Sequence, residues 1–211
     1  AAVGGAASAG LGVPMLFAFV IGLLISNLVI VLVSSLGFVA SQTRERVYVA
    51  IGGVAGCFSL VFEAIPQARL REIKAAGVDD AGHQLTVQVD IEGGSPLRCC
   101  LREADPGERM LLIAYTPPGT CGAYAERGPV FIHADPCAGY LTPSRYPPGL
   151  SHRLQVVRAY DRDGRIVGGI LVNDGEHAMT VIREQFARSD VSLVHLRNVG
   201  YGCYNFAVRR S

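Results

Sequence analysis

Two histidine–cysteine pairs are the residues of this chain best suited to chemistry. "GPVFIHADPC", residues 128 to 137, ends a short apolar run on His133 and places Cys137 four residues later. "VSLVHLRNVGYGC", residues 191 to 203, repeats the arrangement with His195 and Cys203. Imidazole nitrogen and thiolate sulfur are ligands for zinc, iron or copper. If the two strands were neighbours, His133, Cys137, His195 and Cys203 would make a four-ligand metal site. HxxxC and HxxxxxxxC are loose spacings, and a free cysteine more often serves as a small buried hydrophobe. Zinc or iron is therefore an alternative expectation and not the leading one.

The same residues suit nucleophilic catalysis. Gly200 and Gly202 precede Cys203 and permit a sharp turn with backbone N–H groups aimed at an anion. His133 or His195 could pair with the Cys203 thiolate and act as base. Arg197 could grip a carboxylate or phosphate with two hydrogen bonds, with Asn198 beside it and Arg98 and Tyr124 lining the pocket. The adjacent Cys99 and Cys100 read differently. Neighbouring side chains along a strand point to opposite faces, so the pair should not share one site. There is no dinucleotide fingerprint, phosphate loop, HExxH or paired CxxC. "DRDG", 161 to 164, lacks the remaining ligands of a calcium loop and reads as a hairpin turn.

Regular elements must position these groups. "IPQARLREIKAAGV", 65 to 78, reads as a short helix with Leu70 and Ile73 on one face and Gly77 as its stop. "HQLTVQVDI", 83 to 91, alternates as a half-buried strand does, and "MLLIAY", 110 to 115, is continuously apolar, as interior strands are. "PVFIH", 129 to 133, is another strand. "HRLQVVRAYDRDGRIVGGILV", 152 to 172, is a β-hairpin. "DGEHAMTVIREQFARSD" follows as an amphipathic helix, and "VSLVHLRN" and "YNFAVRR" are the final strands. The loops 116 to 128 and 134 to 151 could cover a pocket near His133, His195 and Cys203. The pattern is α+β, with a mostly antiparallel sheet and few short helices.

The first 62 residues differ in kind. From Leu11 to Val39 no residue is charged, a run longer than the roughly 20 residues a membrane helix needs. A second uncharged run, 47 to 62, could span from Thr43 to Phe62 if the arginines at 44 and 46 snorkel. The expectation is an N-terminal transmembrane helical hairpin over 1 to 62, on its own or as the tail of a larger bundle, ahead of a soluble domain over 63 to 211. A lipid bilayer is then a partner, and a membrane protein a possible second one. Basic residues stand on both sides of the second run, so charge does not fix the orientation. Five of the six cysteines fall in 63 to 211, too few for a disulfide scaffold. Reduced thiols on the cytoplasmic side are the simpler account. That part holds 17 basic and 17 acidic residues. A balanced charge of this kind argues against a nucleic-acid partner.

"LRCCLREADPGERMLLIAY", "GPVFIHADPC", "LQVVRAYDRDGRIVGG" and "VHLRNVGYGCYNFAVRR" together resemble the bacterial domain-of-unknown-function family 1203, over roughly residues 63 to 211. In that family the first block usually runs proline, cysteine, arginine, histidine, cysteine, leucine. Here it is Pro96, Leu97, Arg98, Cys99, Cys100, Leu101, so Leu97 and Cys99 depart from the pattern while Arg98 and Cys100 match it. The resemblance implies the extent of the domain and no reaction. The leading functional expectation is the binding or sensing of a small ligand, an anionic one if Arg197 contacts it. The alternatives are a cysteine/histidine-dependent or metal-dependent enzyme and a structural component of a membrane complex.

Overall fold

A computed structural model describes residues 58–211. The membrane hairpin expected over the preceding residues lies outside them, apart from its last stretch. Among the described residues no helix is long and apolar enough to cross a membrane. The last stretch shifts only the expected boundary. Leu60–Glu63 form strand β1, with Leu60 and Phe62 buried and Val61 and Glu63 half-buried. That two-residue period pairs β1 with the end of the chain, Phe62 standing opposite Val208. The folded unit therefore takes in residues ahead of position 63.

The remaining elements are helix α1 (Gln67–Ala76), strands β2 (Val87–Asp90), β3 (Pro96–Leu97), β4 (Arg102–Glu103), β5 (Glu108–Tyr115), β6 (Gly128–His133), β7 (Gln155–Tyr160) and β8 (Ile166–Val172), helix α2 (Gly175–Ala187), and strands β9 (Leu193–Asn198) and β10 (Tyr204–Arg210). They build two five-stranded sheets, in the orders β1-β10-β9-β7-β8 and β2-β5-β6-β3-β4. Every pairing is antiparallel except β3 with β6. The α+β class expected from the sequence is the observed one.

The first sheet is covered on both faces, which explains the unbroken apolar character of its centre. Val194, Leu196, Phe206 and Val208 meet Ile182 and Phe186 of α2 in one core. The alternate residues Leu193, Tyr204 and Ala207 join Ile113 and Ile132 of the second sheet, and Leu70 and Ile73 of α1, in the other. α2 starts where the Asp174 carboxylate accepts from the His177 N–H at 2.8 Å, satisfying a donor that the helix itself leaves free. α1 ends at Gly77, whose φ of 70° is left-handed and costs a residue without a Cβ nothing. β2 is shorter than its sequence suggested. At the sheet edge Val87 and Val89 stay about half exposed, because none of the described residues packs over them.

Candidate metal centre

The single parallel pairing brings the site together. Leu97 of β3 stands opposite Phe131 of β6. Parallel strands leave a sheet in the same direction, so the residues two steps further on, Cys99 and His133, arrive side by side. β3 then runs into a tight turn over 98–101. Leu101, at φ 59°, closes it by donating its N–H to the Leu97 carbonyl at 2.9 Å. In a turn, neighbouring side chains are not held to opposite faces. Both cysteines face the imidazole: Cys99 Sγ lies 3.2 Å and Cys100 Sγ 3.8 Å from His133 Nδ1, and the two sulfurs are 3.9 Å apart. The strand-based expectation that Cys99 and Cys100 could not share a site is corrected by that turn.

Cys137 completes the group from the loop after β6. The ligand atoms of Cys99, Cys100, His133 and Cys137 all lie within 4.8 Å of one another. The loop is fixed from two sides. Lys74, in the last turn of α1, donates to the carbonyls of Ala134 and Asp135 at 3.0 and 3.2 Å, and the Gly139 N–H approaches Cys137 Sγ at 3.5 Å. Such a group of three sulfurs and one nitrogen could hold a metal ion.

Behind the imidazole stands a carboxylate. His133 Nε2 is 3.2 Å from Glu108 Oε1, and Arg102 clasps both Glu108 oxygens at 2.5 and 2.8 Å. The Arg102 fork holds the Glu108 carboxyl at about 2, well below its ordinary range, against the opposing effect of burial. Hydrogen bonding to Cys99 raises the His133 value, with Glu108 assisting. The Cys99 thiol is pushed up to about 12 by its hydrogen bond with Cys100 and by burial. Burial also raises Cys137. Without a cation, then, Cys99 and Cys137 hold their protons at neutral pH, which disfavours either one as a free thiolate nucleophile. A cleft of about 380 Å³, bordered by Arg71 and Lys74, opens onto Cys99, His133 and Cys137. A second, of about 410 Å³, meets Cys99 from the side of Pro118 and Tyr140. Both long loops line the second cleft, Pro118 from one and Tyr140 from the other, and His133 lines the first, while His195 and Cys203 line neither.

The other residues singled out from the sequence lie elsewhere. The two histidine strands belong to different sheets, so His133 and Cys137 are not joined by His195 and Cys203. His195 is fully buried, with its ring between those of Tyr160 and Tyr204 at centroid distances of 4.7 and 5.0 Å. Its Nε2–H donates to the Pro118 carbonyl at 3.1 Å. Burial, aided by the positive charge of Arg197, depresses its pKa to about 3. It is a neutral core side chain. Cys203 Sγ is 3.7 Å from the Tyr201 carbonyl and meets neither histidine. Arg197 is buried, donates Nε–H to the Gly202 carbonyl at 2.9 Å, and forms an ion pair with Glu126. The Asn198 side chain accepts from the Gly200 N–H at 3.1 Å. Both hold the β9–β10 turn in shape. Arg98, 3% exposed, donates Nε–H to the Tyr204 carbonyl at 2.8 Å and ties the cysteine turn to β10. Tyr124 is exposed on a short 3-10 turn, Gly122–Tyr124, and lines neither cleft.

A family model, described as protein of unknown function DUF1203, matches residues 94–210, more than half of the chain. This chain belongs to the DUF1203 family. The matched part of the DUF1203 domain includes all four side chains of the cluster, together with Arg102 and Glu108. It begins after β1, α1 and β2, so Lys74 and the α1 wall of the cleft stand outside it. No curated protein and no solved structure is significantly similar to this DUF1203 protein.

Proposed function

We propose that the domain binds one zinc ion through Cys99, Cys100, His133 and Cys137, and that the ion holds the cysteine turn, the end of β6 and the following loop together. One observation carries the reading: the mutual spacing of the four donor atoms. Zinc bonds of about 2.3 Å to sulfur and about 2.0 Å to nitrogen give tetrahedral edges of about 3.8 Å between sulfurs and about 3.5 Å between sulfur and nitrogen. The corresponding distances are 3.9 Å between the Cys99 and Cys100 sulfurs and 3.2 and 3.8 Å from these to His133 Nδ1. Sulfur donors with one imidazole favour zinc over the oxygen-seeking ions. Iron is the runner-up for the same donor set.

Each group has a defined part. Glu108 accepts from Nε2–H in the tautomer that turns a bare Nδ1 toward the sulfurs, the usual support for a metal-bound imidazole. Three thiolates and a neutral imidazole around a divalent ion leave about one negative charge. Arg102 and Lys74 stand beside the cluster to balance it. Four protein ligands leave zinc no open position, which is the mark of a structural or regulatory site. The uncharged run from Leu11 to Val39 supports a membrane tether for this domain, and Arg71 and Lys74 would favour a small anion in the adjoining cleft.

The test is metal content. The chain purified under reducing, chelator-free conditions should carry about one zinc, and cobalt substituted for it should give the intense absorption of tetrahedral cobalt–thiolate bonds. Cys99→Ser and His133→Ala should each lose the ion. Less than about 0.1 metal per chain, with no uptake of added zinc or cobalt, would refute the proposal.

A further inference from the structure

Building on the zinc reading, we infer that Cys100 and Cys137 are an oxidant-sensitive pair: a peroxide-class oxidant joins them as a disulfide, and the ion is expelled. The three sulfurs differ in access. Cys99 is 1% exposed and its sulfur receives the His133 backbone N–H at 3.3 Å. Cys99 and Cys137 both border the open cleft of about 380 Å³, ample for a small peroxide, but only Cys137 and Cys100 are half-buried rather than buried. Their sulfurs lie within 4.8 Å of each other. Closing to the roughly 2.05 Å of a disulfide calls for movement of one of the two chain segments. Cys137 supplies it: the Lys74 contacts hold Ala134 and Asp135 ahead of it, while on its other side the chain gives up only the 3.5 Å contact from Gly139 N–H, at a glycine with φ of 84°. A bond between the neighbours Cys99 and Cys100 would instead have to close a small ring around their shared planar peptide.

The chemistry balances with hydrogen peroxide as the oxidant. One thiolate attacks a peroxide oxygen, the O–O bond breaks, and a sulfenic acid and water form. The second thiolate displaces the sulfenic oxygen, forming the S–S bond. In sum, two thiolates, one peroxide and two protons give one disulfide and two waters, the sulfurs giving up two electrons to the peroxide. Zinc loses two of its four ligands in the process. Cys99 and His133 alone do not hold it, because closed zinc sites owe their affinity to the full set.

The full chain is first assayed for zinc while reduced, then titrated with hydrogen peroxide while a chromogenic chelator reports release and mass mapping identifies the cross-link. The expected result is one zinc released per peroxide consumed, a Cys100–Cys137 linked peptide, and recovery of zinc binding on adding a dithiol and zinc. Zinc retained beyond an equivalent of peroxide overturns this inference alone. So does release accompanied by any other pairing, or by sulfinic acid in place of a disulfide. A reduced chain that holds no zinc overturns the zinc reading and this inference with it.

Discussion

His195 offers the most quantitative test of the fold. Its imidazole is completely buried between Tyr160 and Tyr204, with a pKa near 3 against an ordinary 6.5. Burial dominates that depression, and Arg197, Arg209 and Arg158 add to it. The folded value lies below the unfolded one, so the stability this residue contributes is complete above about pH 6.5 and is lost as pH falls toward about 3. The full gap of roughly 3.5 units corresponds to a ceiling of about 5 kcal/mol. At about pH 5 the unfolded chain has taken up the proton and the folded chain has not, a cost of about 2 kcal/mol. The perturbation is His195→Gln, which removes the titrating group. Urea unfolding followed by far-UV circular dichroism, at about pH 7.5 and about pH 5 with both proteins in the same metal state, gives a cycle in which other titrations cancel. The natural chain should lose about 2 kcal/mol more than the variant on acidification. Equal losses, within about 0.5 kcal/mol, would mean that His195 is not a buried neutral imidazole.

Other perturbations separate the metal cluster from the residues around it. Glu108→Gln should weaken zinc binding about 10-fold or more while leaving one zinc per chain at saturation; competition with a calibrated chelator measures it, and unchanged affinity would remove Glu108 from its supporting role. Arg98→Met should lower stability by about 1–3 kcal/mol, because the Tyr204 carbonyl loses its buried donor. Zinc content should be preserved, and metal loss without destabilisation would contradict the tie to β10. Cys203→Ala should leave zinc content unchanged, and a fall in bound metal would bring that thiol back into the site.

Local pattern made much of this protein legible. The α2 face carrying Val181, Ile182 and Phe186, the β7–β8 hairpin with its Asp161–Gly164 turn, and the apolar β9 and β10 follow from periodicity and turn chemistry. β3 and β4 did not, since two residues are too few to show a period. β1 was hidden in an apolar run whose length suggested a helix. In the site, His133 and Cys137 were legible as ligand types close in sequence. Cys100 was visible in the resemblance, and Cys99 stands where that pattern has a histidine, which exchanges one metal-ligand type for another. Glu108 and Arg102 carried no sequence signal, because Glu108 reaches His133 only when β5 lies antiparallel to β6 and Arg102 only when the β3–β4 pair lies alongside β6.

The sequence by itself thus determined the class of fold, most of its elements and the chemical types able to bind a metal. Only the tertiary structure decided which of them meet. The pairing of Leu97 with Phe131 and the left-handed Leu101 put Cys99 and Cys100 against His133, while the separation of β6 and β9 into different sheets left His195 in the core. The physical reason is that periodicity records which face of an element is buried. The partner strand that meets that face is chosen by packing and register between residues far apart in the chain, and these leave no periodic trace.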